Sequence, residues 1–393
     1  MRILHIVGTV SPAAGGPTEV IKMLVRYAPP GYTSELATLD DPSAAFLRDL
    51  PFPVHASGSS RKRWFRPALL RWLRKNRGRF DGVIVHGLWE FTGFAAALTV
   101  AKNPGYVVFT HGMLDPYFKR AFPAKHAKKW FYWIPAEYWV LRRARRVLFT
   151  TAAERDLAAQ SFWLHRWTPM VVPIGSEPPP ADTASLIRAF AAACPAVSGR
   201  RFLLFLGRIN EKKGCDLLVR AFAELSAGHP DLHLVMAGPD PSGWRQRLEA
   251  LAADCNCADR IHWPGMLLGE AKWGAFAACE AFVLPSHQEN FGVAVVEALA
   301  SARPVLLTHP VNISADLEAD GCALVEPDTQ EGITRLLARW LDLSPAQRSE
   351  MSIRAKEIFA RRYDMRRNAE TILRVFERPQ PSTANIRAVP EAR

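Results

Sequence analysis

Two carboxylates, Glu289 and Glu297, stand eight positions apart in the segment Phe282-Val283-Leu284-Pro285-Ser286-His287-Gln288-Glu289-Asn290-Phe291-Gly292-Val293-Ala294-Val295-Val296-Glu297-Ala298-Leu299. The first ends an apolar run that reads as a buried strand. The second falls about two turns into a helix of Val, Ala and Leu that follows Gly292. An ionised carboxylate on a helix meant for burial is costly without partners. Ribose hydroxyls would satisfy it, as would an internal salt bridge or a cap; the plain reading of Glu289 is a solvated loop acid. Upstream, the apolar run 202 to 206 is followed by Gly207-Arg208-Ile209-Asn210-Glu211-Lys212-Lys213-Gly214 and a helix. Cations on a loop after a strand can grip a diphosphate, here Arg208 and Lys213 together; a solvated basic loop is the competing reading. Near the N-terminus, Gly15 and Gly16 precede a helix opening at Glu19. A Gly-Gly pair there lets backbone amides approach an anion, helped by the helix dipole, although many such turns are geometry only.

These residues acquire meaning from the elements that must hold them. Short apolar runs alternate with helix-period segments, the pattern of a buried parallel sheet. Strands are predicted at 2 to 7, 34 to 39, 82 to 86, 106 to 110, 146 to 150 and 169 to 172. After a proline-rich connection at 173 to 200 they resume at 202 to 206, 232 to 237, 260 to 263, 281 to 284, 304 to 307 and 322 to 325. The fold class is therefore α/β, two tandem doubly wound Rossmann-like domains facing across a cleft. In such sheets ligands gather beyond the carboxyl ends of the strands, where the residues above fall. The expected division is 1–175 for the first domain, 176–200 for a linker and 201–362 for the second domain. A C-terminal helix at 363–378, crossing back to the first domain, and a disordered tail at 379–393 complete it.

The chain has 393 residues, 49% hydrophobic and 22% charged, which suits two globular domains. Its net charge of +12 is uneven: residues 1 to 190 carry 26 Lys and Arg against 13 Asp and Glu, and the remainder is nearly balanced. An anionic partner for the first half follows, whether nucleic acid, headgroups or a phosphorylated substrate. All six cysteines lie in the second half without a CxxC pair, as expected of reduced thiols. Neither a signal peptide nor an 18-residue apolar span is found, so the expectation is a cytoplasmic protein with at most peripheral membrane contact.

Taken together, the Glu289 to Glu297 spacing within Pro285-Ser286 and Asn290-Phe291-Gly292, the Gly207-Arg208 with Lys213-Gly214, and Ala237-Gly238-Pro239 resemble the retaining glycosyltransferases of GT-B architecture, family 4, also called glycosyl transferases group 1. Gly15-Gly16-Pro17, Thr110-His111-Gly112-Met113 and Val172-Pro173-Ile174-Gly175 extend the similarity over about residues 1 to 376. The resemblance implies that Arg208 and Lys213 bind a donor diphosphate, Glu297 the ribose and Glu289 the transferred sugar. It implies that His111 faces that sugar from the other domain and that Gly15 and Gly16 close on the phosphate. Asn290, Phe291 and Gly292 complete the donor-binding set. Two departures stand out: Ala302 occupies a position that is often glycine in the family, and the loop 308 to 313 lacks a Gly-Gly pair. No cofactor is expected beyond the nucleotide-sugar substrate. No metal is expected either, because the sequence has no Asp-x-Asp and the cations can stand in for the ion.

Residues 61 to 79 carry nine Lys or Arg and no acid, with Phe65, Leu69, Trp72 and Leu73 at helical spacing. Residues 117 to 146 interleave Lys119, Arg120, Lys125, Lys128 and Lys129 with Trp130, Phe131, Trp133 and Trp139, then Arg142, Arg143, Arg145 and Arg146. Basic aromatic helices of this kind lie on anionic membranes; packing of the aromatics onto the sheet is the alternative. Absent any nucleic-acid motif, the expected acceptor is a lipid-linked glycan met at the inner face of the membrane, in envelope or exopolysaccharide assembly. A nucleotide-sugar epimerase of the same architecture and a noncatalytic nucleotide-sugar or membrane-binding module are the rival functions.

Overall fold

The computed structural model describes residues 1–12, 15–58 and 66–377. Two parallel sheets form the molecule. The first holds β1 (Arg2–Val7), β2 (Thr33–Thr38), β3 (Val54–Ala56), β4 (Gly82–His86), β5 (Tyr106–Phe109), β6 (Arg146–Phe149) and β7 (Pro169–Val171) in the order β3-β2-β1-β4-β5-β6-β7. The second holds β8 (Arg201–Leu206), β9 (Leu232–Ala237), β10 (Ile261–Gly265), β11 (Ala281–Leu284), β12 (Val305–Thr308) and β13 (Ala323–Glu326) in the order β10-β9-β8-β11-β12-β13. Central strands are buried on both faces, which is why they read as unbroken apolar runs: every residue of β4, β5, β9 and β11 is buried. In each sheet the strand order reverses direction beside the first strand, between β1 and β4 and between β8 and β11. That switch point opens a crevice at the strands' carboxyl ends.

β3 is the strand that the sequence pattern did not indicate. It has three half-buried residues, with Pro51 and Pro53 just before it, and pairs with β2 at the sheet edge. The connecting segment also differs from a bare linker. Its helix Thr183–Ala193 packs on the helix Gly269–Ala278 so closely that a Cβ at Gly274 would meet the Leu186 carbonyl oxygen at 1.9 Å. Leu186 and Phe190 thereby join the second domain's core.

The chain then returns. The π-turn Phe359–Tyr363 leads to the helix Met365–Leu373, and Ser176 brackets the junction: its N–H donates to the Tyr363 carbonyl at 3.0 Å and its carbonyl accepts from Met365 N–H at 3.0 Å. Beyond it Phe376 lies under Gly82 of β4, and Tyr32 donates to Glu377 at 2.6 Å. The last segment thus seals the first domain from below. The tail from 379, together with Arg61, Lys62, Arg63 and Phe65, falls outside the described residues. All six cysteines are free thiols.

Candidate active site

The donor-side loops are set by close backbone approach. Gly207, just after β8, donates to Ala237 at 3.0 Å, and a Cβ at Gly238 would fall 1.9 Å from the Gly207 carbonyl oxygen. The short turn Glu211–Lys213 ends at Gly214, in the left-handed region at φ 62°, where a Cβ would meet the Pro285 carbonyl oxygen at 2.2 Å. That contact places Lys213 against the loop after β11, and its ammonium donates to Glu289 Oε2. Glu289 is no solvated loop acid: its side chain is 19% exposed, and its backbone bridges to the next loop through Pro310 and Asn312, each at 3.0 Å. Burial pushes its carboxyl up, but the charge and hydrogen bond of Lys213, then Lys212 and the Asn290 N–H, hold it below the usual glutamate range. Arg208 is exposed and has no hydrogen-bond or ion-pair partner among the described residues, which leaves its fork open to a ligand.

Glu297 sits on the helix Val293–Ala300 with its side chain 11% exposed, and Lys272 donates to its Oε1 at 2.6 Å. The internal salt bridge is therefore real. It does not offset burial fully: desolvation, reinforced by Glu19 and Glu177, outweighs Lys272, and the carboxyl is shifted up. The influence of Glu19 brings the Gly15–Gly16 turn to the same side of the cleft, because Glu19 lies in the first turn of the helix Gly16–Arg26. Gly15 adopts φ 78°, and open space surrounds a Cβ at either glycine. Gly292 begins the Glu297 helix at φ 74°. Phe291 differs from the other donor-set residues: its ring is buried edge-on against Tyr363 at 5.8 Å, so only its backbone is available to a ligand.

Across the cleft, His111 follows β5 with φ 49°, a strained value for a non-glycine residue. Its Nε2 lies 3.1 Å from His86 Nδ1, and His86 Nε2 lies 3.0 Å from His5 Nδ1. Phe109 stacks on His111 at 4.6 Å. Burial lowers all three imidazoles, His111 to about 3 and His5 to about 4, so they are neutral. Glu154 fixes the turn that carries His111. Its Oε1 accepts from Thr110 Oγ1 at 2.6 Å and Gly112 N–H at 2.7 Å, and its Oε2 accepts from the Thr150 N–H and hydroxyl, both at 2.7 Å.

The domains meet at this point. Asn290 Nδ2 donates to Thr150 Oγ1 at 3.2 Å, and Gln288 Nε2 donates to Asp115 Oδ2 at 2.7 Å. Gly112 leaves no room: a Cβ there would lie 2.6 Å from Asn290 Cβ. A cavity of 880 Å³ opens between the domains beside these contacts, with Asp115, Tyr117 and Arg120 on one wall and His287, Gln288 and Asn312 on the other. Among the described residues no group of three or more His, Cys, Asp or Glu is placed to hold a metal ion.

Sequence reasoning did not single out His5, His86, Glu154 or Lys272. Each acts through a partner distant in the chain. A signal existed for the histidines, since a polar residue ends an otherwise apolar β4 and another interrupts β1.

Arg208 and the Lys213–Glu289 pair lie beyond the carboxyl ends of second-domain strands, and Asn290, next to Glu289, abuts Gly112, next to His111, so that loops of the two sheets meet where ligands of such folds gather. Comparison with known proteins agrees. Residues 15–175 match the profile described as Glycosyl transferase 4-like domain and residues 189–358 match Glycosyl transferases group 1. The chain belongs to the GT-B glycosyltransferases of the family 4 kind. It is 31% identical over 183 residues to a D-inositol 3-phosphate glycosyltransferase of Acidothermus cellulolyticus, covering 44% of this chain and 40% of that protein. Alignments with the curated relatives span between 29% and 59% of those relatives' own length. In structure it is similar to the sucrose-phosphate synthase of Thermosynechococcus elongatus, with TM-score 0.76, 18% identity and coverage of 96% and 98% of the two chains. HepE of Anabaena, crystallised with UDP and glucose, superimposes with TM-score 0.74 at 15% identity over 95% and 99%. These likenesses at low identity establish the architecture.

Proposed function

We propose that this protein transfers a hexose-type sugar, with retention, from a nucleotide-diphosphate sugar to a hydroxyl of a lipid-linked glycan, without a metal ion. The observation that carries the reading is Arg208, without a partner among the described residues, beside the Lys213–Glu289 contact, with Glu297 on the following helix. A diphosphate entering between Arg208 and Lys213 meets two cations, and the charge that builds on it as the glycosidic bond breaks is stabilised where it forms. The acceptor oxygen bonds to the anomeric carbon on the face the diphosphate leaves. Its proton passes to a leaving phosphate oxygen, so no strong protein base is needed. Glu289, held ionised by Lys213, is suited to accept hydrogen bonds from sugar hydroxyls, and Glu297 from the ribose. His111, neutral at working pH, offers a hydrogen bond from the opposite wall rather than a charge.

Screening UDP-, GDP- and ADP-sugars for slow hydrolysis identifies the donor. With it, Lys213→Ala and Glu297→Ala should each cut transfer by orders of magnitude while the fold survives. Arg208→Lys should also be harmful, since a point charge cannot replace the planar fork. Near-normal rates in all three variants would overturn the assignment. Turnover should persist in excess chelator; complete loss restored by magnesium or manganese would refute the metal-free mechanism.

A further inference from the structure

On the first-domain side of the cleft, a second cavity of 160 Å³ is lined by Trp89, Met113, Phe118, Lys125, His126 and Lys129. The Lys129 ammonium sits 4.2 Å from the Trp89 ring centre and 5.7 Å from that of Phe118. Burial pulls Lys129 below its usual range, and the neighbouring cation Lys125 adds to the effect. The carboxyl acting on it is Glu137, which cannot serve as a full counter-ion. Glu137 is completely buried, its pKa is pushed up to about 8, and it therefore holds its proton at neutral pH. Its Oε1 accepts the Trp89 N–H at 2.6 Å, while Oε2 has no partner among the described residues. A cation–π contact recovers only part of the cost of a half-buried ammonium, which leaves a positive, partly dry pocket short of an anion.

The pocket is also built at some expense. Trp89 is held at φ 70° and Glu137 lies in the π-turn Trp133–Glu137; strained and π-helical backbone of this sort gathers at functional sites. Trp89 Nε1 donates to the Met113 carbonyl at 3.4 Å, two residues beyond His111. The Phe118 ring lies between Lys129 and Lys212, the latter 5.3 Å away and next in the chain to Lys213. The cavity therefore adjoins both the His111 turn and the donor loop.

We propose that this pocket binds a phosphate group of the acceptor, with Lys129 and Lys125 as its cationic contacts and Trp89 as the platform that positions Lys129. A phosphate ester supplies the missing charge and three acceptor oxygens. That the phosphate belongs to an acceptor rests on the transferase reading above; the anion site itself does not. The same chemistry could come from a phospholipid headgroup, so the test separates the two.

Lysine acetylation of the full chain is followed by mass spectrometry, with inorganic phosphate against chloride at equal ionic strength. Separate arms contain phosphatidylglycerol or phosphatidylcholine vesicles. Phosphate alone should slow acetylation of Lys129 several-fold and leave exposed Lys75 unchanged, and Trp89→Leu or Lys125→Ser should diminish the protection. Phosphatidylglycerol should shield Lys128, on the other face of the helix, without adding to Lys129 protection. Lys129 unaffected by phosphate, protected by vesicles only, or unreactive from the start would overturn the proposal. No donor or turnover is needed, and Lys213 in the same digest reports the donor site independently.

Discussion

The line His5, His86, His111 has a direction that its buried end decides. Each neutral imidazole carries one proton, and two shared contacts allow only two orderly arrangements. In one, every proton points toward His5, whose Nε2 would be a buried N–H with no acceptor. In the other, that nitrogen is an unfilled lone pair, and His111 Nδ1 carries its proton. Orphaned buried N–H groups are the rarer state, so the second arrangement is favoured. His111 should then be a fixed donor to the cleft. Nitrogen-15 spectra of labelled protein should find Nδ1 protonated and Nε2 bare; His86→Phe should scramble the tautomer and lower kcat. A His111 protonated at Nε2 would contradict this. Because burial holds His111 near 3, the rate profile should show no limb near pH 6.5 from this residue. The site was legible in the sequence to the extent that its chemistry is local. Arg208, Lys213 and Glu289 lie on loops after strands, and Glu297 on the helix that follows, at a spacing that announces them. Lys272 and His5 do not, because each matters only through a partner that the fold brings from another strand or helix.

Elements show where the chain departs from what its backbone would prefer. The helix Val293–Ala300 ends in a Schellman arrangement: Arg303 N–H donates to the Ala298 carbonyl at 2.9 Å and Ala302 N–H to that of Leu299 at 3.0 Å. The left-handed residue of that cap is Ala302, at φ 56°, where the family often has glycine. Ala302→Gly should stabilise the protein by about 1 kcal/mol, read from denaturant midpoints; unchanged or lower stability would show that the strain is relieved elsewhere. Gly112 is the reverse case. At φ 75° and against Asn290, Gly112→Ala should cost about 1 kcal/mol or more and force the two loops apart, lowering transfer beyond the loss of stability. Glu137 adds a pH signature. Its folded value near 8 exceeds the usual 4.5, so the folded state holds the extra proton; that contribution is complete below 4.5 and is lost as pH rises through 8. Stability of Glu137→Gln relative to the parent should therefore increase between pH 4.5 and about 8 and level off above; a difference independent of pH would mean that Glu137 is ionised. Twelve of the thirteen strands were legible, the central ones because burial on both faces writes a continuous apolar run. β3 was not, since a three-residue edge strand buries too little to leave a pattern.

At the scale of the molecule, charge and apolar surface coincide on one side of the first domain. The helix Pro123–Tyr132 turns Lys125, His126 and Lys129 toward the small cavity, whereas Lys128 and Phe131 face solvent, followed by Ile134. Phe131 is 84% exposed, and Trp163, at 81%, leans on Trp130 at 5.6 Å. Trp133 of the same basic segment is packed instead: it is fully buried and stacks on Phe162 at 4.0 Å. Likewise Leu69 and Leu73 of the helix Pro67–Asn76 are core residues, and Trp72 lies between His55 and Phe80. Packing therefore accounts for Trp72 and Trp133, and leaves Phe122, Phe131, Ile134, Trp139 and Trp163 as the apolar surface to be explained. No helix among the described residues is long and apolar enough to cross a membrane. Each cation near an anionic surface contributes roughly 1 kcal/mol, and exposed aromatic side chains add their transfer into the headgroup layer. Binding to anionic vesicles should consequently be lost in steps. Raising the salt should weaken it by screening Lys128, Arg142 and Arg143. Changing Arg61, Lys62, Arg63 and Arg66 to Ser or Gln should do the same if that segment shares the surface. Phe131→Ser with Trp163→Ser should lower the affinity that persists at high salt, while the stacked Trp133 core keeps the fold. Co-sedimentation with phosphatidylglycerol and with neutral vesicles measures each step. Wild-type protein that ignores anionic vesicles at low salt would remove the membrane from the function and make a soluble acceptor the better reading.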